Sequence, residues 1–163
     1  VFPFIDSKGY VFGFTGRSLS KSTNMRYSTI ILDETKEKVF GLDTINKDRN
    51  VYVVEGPIDS LFLDNCVATM DAALYHAPAT IGLDFDYVFV YDNEPRNKQI
   101  VSNMRKTIEK GYKVCVWPIT YKQKDINDMV LAGYQPAIIQ NTIDQNTFSG
   151  LEAQMKLDQW SRI

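Results

Sequence analysis

From Val51 onward the chain repeats an arrangement that few folds can use. A run of four or five apolar residues is followed by a turn and then by a segment with helical spacing. The runs are VYVV from Val51, CVATM from Cys66, YVFVY from Tyr87 and the VCVW of YKVCVWP from Tyr112. They are too short for helices and rich in β-branched and aromatic residues, so they read as strands. A strand that is apolar at every position has no face to give to water. It belongs inside a parallel sheet covered by helices on both sides. The intervening segments agree. Pro57 suits the first turn of a helix, and IDSLFLDN carries apolar residues at helical spacing. Residues 97–110, NKQIVSNMRKTIEK, place Ile100, Met104 and Ile108 on one face, with Gly111 closing the helix. KDINDMVLAGY starts a further helix, and QPAIIQNTI and SGLEAQMKLDQW read as two more. LYHAPATIG, with the lone His76, reads as a loop. The expected fold class is α/β, a mostly parallel sheet flanked by helices with a helical C-terminus.

The first fifty residues have a different grain. VFPFI and YVFGFTG flank DSKG, a hairpin with Gly9 in the turn, and MRYSTIIL from Met25 reads as a third strand. VFGLDTIN from Val39 suits either a strand end or a short helix. The expected division is a small β-rich unit at 1–50, the strand–helix unit at 51–133 and C-terminal helices at 134–163.

Composition bounds the function. At 44% hydrophobic and 23% charged residues the chain is an ordinary globular protein, and no apolar stretch approaches a membrane span. A cytoplasmic location is expected. Cys66 and Cys115 are far apart in apolar runs and cannot assemble a zinc site. Net charge is −2 but uneven: residues 1–50 carry 8 Lys/Arg against 6 Asp/Glu, and residues 51–163 carry 10 against 14. An acidic balance argues against a protein that coats nucleic acid, yet it allows a basic patch beside an acidic metal site.

Acidic residues follow three of the strands: Glu55 after VYVV, Asp92 and Glu94 after YVFVY, Asp125 and Asp128 after VCVWP and its linker. Ligands of open parallel sheets bind at the carboxyl ends of strands. Carboxylates gathered there repel one another unless a hard divalent cation joins them, and oxygen-only sets suit Mg²⁺ or Mn²⁺. Singly, each acid is equally well a helix cap or a solvated charge. Arg96 suits either a triphosphate or an ion pair with Glu94. Lys122 and Lys124 suit solvated lysines, charges that offset the acidic cluster, or phosphate contacts, and Trp117 and Trp160 suit core or interface positions.

EGPIDS, VYDNEP and KDINDM, in that order, resemble the three acidic motifs of the Toprim domain, shared by bacterial-type primases, topoisomerases and some nucleases. GFTGRSL, MRYSTI and KVFGL upstream are similar to the N-terminal subdomain of DnaG-type primases, and the wording EGPIDSLF, DNEPRN and KDINDM is closest to primases of T-even-type phages. The resemblance implies a Toprim-type sheet and a DNA primase core that makes short RNA primers from NTPs with Mg²⁺ or Mn²⁺. It implies Glu55 and Asp59 as catalytic residues, with Asp92, Glu94, Asp125, Asp128 and Glu55 around metal. It implies Arg17 and Arg26, with Tyr27, against template or nucleotide phosphates; Arg96 and Lys124 join that set from their own places beside the second and third motifs. The implied partners are a single-stranded DNA template, NTPs, a replicative helicase and a separate zinc-binding primase domain, which this chain does not itself contain. Three departures stand out: Asp-x-Glu where Asp-x-Asp is usual, KDIND as the third motif, and MDAAL where a glycine-bearing segment is usual. A Toprim nuclease and a non-catalytic nucleic-acid-binding module are the rival readings. The β-rich N-terminus speaks against the first, and the full set of acids against the second.

Overall fold

The computed structural model describes residues 1–19, 27–36, 38–82 and 84–163. Two sheets form. β1 (Phe2–Ile5), β2 (Val11–Arg17) and β3 (Tyr27–Ile31) make an antiparallel sheet in that order. The hairpin turn is the expected DSKG: Gly9 has φ 84°, and Asp6 Oδ1 accepts from the N–H groups of Lys8 and Tyr10, each at 2.9 Å.

The second sheet has five strands: β4 (Val51–Val54), β5 (Cys66–Ala68), β6 (Tyr87–Phe89), β7 (Lys113–Cys115) and β8 (Thr147–Phe148). Their spatial order is β5-β4-β6-β7-β8, parallel except for β8 at the edge. The apolar runs sit where their composition requires. Val51 and Val53 point into one core with Phe89 and Val114, and Tyr52 and Val54 into the other with Val88 and Cys115. α3 (Lys98–Glu109) and α6 (Gly150–Trp160) supply Met104, Ile108 and Leu157 to the first core. α4 (Ile126–Leu131) and α5 (Pro136–Gln145) supply Met129, Ile139 and Ile143 to the second. Both cysteines are free and buried in that second core. α3 follows the expected limits: the Asn97 side chain caps its first turn, and Gly111 at φ 84° follows its end.

Three local expectations change. The helix after β4, α1 (Pro57–Ser60), has one turn only. LYHAPATIG is helical: a 3₁₀ turn at Leu74–His76 runs into α2 (Ala77–Ile81), with Pro78 in the first turn, where a missing N–H costs nothing. Thr147–Phe148 forms the edge strand β8, too short to leave a periodic signal. VFGLDTIN, left open above, is both alternatives in sequence: Phe40 bridges Ala68, and Leu42–Thr44 is a 3₁₀ turn. Phe2 of the small sheet packs edge-on against Phe40, ring centroids 5.8 Å apart. Among the described residues no helix is long and apolar enough to cross a membrane.

Candidate acidic site at the strand ends

The chain leaves β4 toward β5 on one side and returns through β6 on the other, so β4 and β6 meet at the point where strand order reverses. Ligands of such sheets bind in the crevice beyond this point. Glu55 ends β4 and Asp92 follows β6. A small cleft of about 10 Å³ opens between them, lined by Glu55, Asp59, Asp92 and Asp125. The predicted acids from three separate motifs therefore meet.

Each is held differently. Gly56 has an ordinary φ of −100°, and its requirement is space: a Cβ there would lie 2.7 Å from Asp59 Oδ2. The glycine of EGPID thus lets the Asp59 carboxylate fold back under the strand end. Asp59 Oδ1 accepts from the Asn127 N–H at 2.9 Å, which ties α1 to α4. Burial pushes its pKa up to about 6 against that hydrogen bond, with Asp125 and Asp128 adding repulsion. Asp92 is pushed further, to about 7, by burial first and then by the Glu55 charge, while Lys124 opposes. Glu55 opens to solvent, yet the crowded strand ends remove enough water to raise its pKa; Lys124 opposes this and Asp71 and Glu94 add to it.

Asp125 is the N-cap of α4, accepting from the Asp128 N–H at 2.7 Å, so the cap reading holds for it even as it lines the cleft. Asp128 is exposed and does not line the cleft. Lys124 Nζ stands 3.4 Å from Asp92 Oδ2 and 3.9 Å from Glu94 Oε2. Burial pulls the Lys124 pKa down, but attraction to Asp92, Glu94 and Asp125 outweighs it and the net shift is upward. Among the described residues no three of His, Cys, Asp and Glu converge as a ready-made metal set. The donors are nonetheless all oxygens, and an ammonium already lies between two of them. The cleft favours positive charge, and its chemistry fits a hard divalent cation.

Two residues that sequence reasoning passed over shape this site. Asn93 lies between Asp92 and Glu94. Its N–H donates to Lys124 O at 2.6 Å and its Nδ2 to Tyr121 O and Gln123 O, each at 3.0 Å. Trp160 Nε1 donates to its Oδ1 at 3.2 Å. Asn93 thereby clamps the linker of the third motif onto the turn of the second. Its only sequence signal is an amide at the centre of Asp-x-Glu. Met70, in the MDAAL segment, has φ 58°, and its N–H donates to Glu55 O at 3.0 Å. A methionine thus takes a left-handed backbone of the kind glycine favours, at a cost of about 1–2 kcal/mol, where the resemblance leads one to expect glycine.

Other predicted residues lie elsewhere. Arg17 ends β2 opposite Tyr27 on the small sheet. Arg26 lies outside the described residues, as does the side chain of Tyr27. Arg96 is exposed and, among the described residues, in no ion pair; the pairing with Glu94 weighed above does not form. His76 is exposed against Tyr75. Trp117 and Trp160 are buried as core aromatics, Trp117 Nε1 donating to Tyr91 O at 2.8 Å.

No family model matches the chain. It is 34% identical over its full length to a DNA primase of Enterobacteria phage T4, of which it spans 47%. The structure of the Aquifex aeolicus primase, zinc-binding and RNA polymerase domains, superposes over 97% of this chain and 43% of its own length, with a TM-score of 0.67 at 19% identity. The primase fragment of the bacteriophage T7 primase-helicase superposes over 85% of this chain and 60% of its own, with a TM-score of 0.61 at 17% identity. The chain thus spans about half the length of the curated relative it matches, and its fold is shared with primase polymerase domains.

Proposed function

We propose that this chain is the RNA-polymerising core of a DNA primase, a Toprim-type unit preceded by a β-rich subdomain that handles the template. The observation that carries this reading is the cleft: acids from three motifs gathered at the switch point of a primase-like sheet, with burial raising the pKa of Asp59 and Asp92. The reaction is attack of a ribose 3′-hydroxyl on the α-phosphate of an incoming NTP. The new P–O bond forms as the bond to pyrophosphate breaks, and the hydroxyl proton passes to Glu55. The raised pKa makes Glu55 a stronger base than an ordinary carboxylate. Asp59 supports it from beneath the strand end. Asp92, Glu94 and Asp125 are the residues to hold Mg²⁺ or Mn²⁺, with Asp128 outside them. Such an ion, when bound, neutralises charge on the triphosphate. Lys124, beside Asp92 and Glu94, is placed for phosphate oxygens, and Arg96 follows the same turn as a second candidate. Arg17, Arg26 and Tyr27 guide single-stranded template over the small sheet. A replicative helicase and a separate zinc-binding domain are the partners this reading asks for, in the host cytoplasm of a phage-encoded system.

The test is incubation with single-stranded template, labelled NTPs and Mg²⁺, with and without helicase. Short oligoribonucleotides that depend on template and on Asp92 support the reading. Template cleavage without synthesis replaces it with the nuclease.

A further inference from the structure

Beside the Asp92–Glu94 turn a second and larger cleft of about 630 Å³ is lined by Asn93, Pro95 and residues next to β7 and β8. Trp117, Trp160, Ile119, Tyr121 and Phe148 line it. Four cations line it, Arg96, Lys122, Lys156 and Arg162, and no Asp or Glu does. That is unexpected in a chain of net charge −2. The rest of the described surface is mixed: Arg49, Arg105 and Lys113 pair with Asp64, Asp158 and Asp86, whereas Lys47, Lys106 and Lys110 lie over aromatic rings. Among the described residues none of the four cleft cations is in an ion pair. Lys156 lies 5.2 Å over the Phe148 ring, and Lys122 Nζ donates only to Ile119 O. Glu94, the nearest acid in sequence, is directed to Lys124.

Uncompensated cations around an aromatic and apolar hollow are matched by a ligand with a regular negative charge and flat faces. We propose that this edge cleft binds single-stranded nucleic acid, with phosphates on Lys122, Lys156 and Arg162 and a base against Phe148 and Tyr121. The site is separate from the small sheet that carries Arg17. Because Asn93 and Arg96 line it, a strand held there touches the turn that bears Asp92 and Glu94.

Both tryptophans of the chain line this cleft, and Trp160 does not line the acidic one, so intrinsic fluorescence responds to its occupancy. Titration of the parent with a dT12 oligonucleotide, without metal or NTP, is expected to change tryptophan emission with strongly salt-dependent affinity. The triple variant Lys122→Ala, Lys156→Ala, Arg162→Ala is expected to bind at least about tenfold more weakly and to lose about two units of salt slope, at ~0.7 per phosphate contact for single strands. A distant control, Lys47→Ala with Lys110→Ala, is expected to leave the tryptophan signal unchanged. The proposal is overturned if the triple variant matches the parent. It is overturned equally if UTP alone gives the same signal at the same concentration, for the cleft then holds a free nucleotide. The readout is binding, so it stands or falls independently of primer synthesis.

Discussion

Two sets of carboxylates in this molecule have opposite settings. Asp6, at the first hairpin, has every neighbour it needs: the Lys36 ammonium, and the N–H groups of Tyr10 and Lys8. These hold its pKa down at about 2, the Lys36 hydrogen bond foremost. Asp92 and Asp59, at the strand ends, are pushed up to about 7 and about 6 by burial among other acids. The first arrangement is what a chain selects to fasten a turn. The second costs stability in the absence of a counter-ion, and a fold that keeps it has a use for it. The contrast separates an acid whose neighbours fasten a turn from acids whose setting the proposed site explains, a distinction residue type alone cannot make.

The largest effect that sharpens this contrast is at Glu55. Glu55→Gln removes one of the charges that Asp92 feels and leaves the strand end otherwise intact. Without metal the variant is expected to melt at or above the parent. Primer synthesis with Mg²⁺ is expected to fall by about 10²-fold or more, the loss typical of a missing general base. A variant that melts far below the parent would place Glu55 with Asp6, among the structural acids.

The sequence carried the frame of this site but not its setting. Fully apolar VYVV and YVFVY can only be inner strands, so Glu55 and Asp92 had to emerge at one edge of a parallel sheet. Strand order, which makes that edge a switch point, follows from crossovers whose side a single sequence does not encode. Thr147–Phe148 is likewise invisible as a strand, because its pairing with Val114 and Cys115 is entirely non-local. Lys124 reads in sequence first as a solvated lysine and only second as a charge that offsets the acidic cluster, since nothing local tells where a chain bends back. Its place beside Asp92 depends on Asn93 holding residues 121–124 by three hydrogen bonds. The edge cleft escaped for the same reason: its four cations come from four segments spread over residues 96–162.

Lys124 offers the next test, of intermediate size. Its ammonium neutralises part of the charge that a divalent ion would meet, so it competes with the ion for Asp92 and Glu94. Lys124→Met is expected to tighten Mn²⁺ binding about fivefold, matching a half-exposed ion pair worth roughly 1 kcal/mol. Manganese electron paramagnetic resonance, which counts free ion, measures this without reference to catalysis. Unchanged or weaker affinity would mean that the lysine organises the carboxylates instead of shielding them.

The smallest effect bears most directly on the opposite settings, because it turns on sign. Asp92 has a folded pKa of about 7 against an ordinary value of 3.8. The folded state therefore holds a proton that the unfolded state releases over this interval. The stability linked to it is fully present below about pH 4 and is lost as pH rises toward 7. Asp92→Asn removes that loss. In metal-free buffer the variant is expected to melt a few degrees above the parent at pH 7.5 and close to it at pH 4. Asp6 runs the other way. Its contribution is present above its ordinary value of 3.8 and fades as pH falls through about 2. Asp6→Asn is therefore expected to melt slightly below the parent at pH 7.5, by no more than about two degrees for a surface pair. That gap narrows from pH 4 downward. Melting curves for the three proteins across pH 3 to 8 decide the matter. Were Asp92→Asn to melt below the parent at pH 7.5, the strand-end acid would be fastening the fold as Asp6 does, and the contrast between the two regions would collapse.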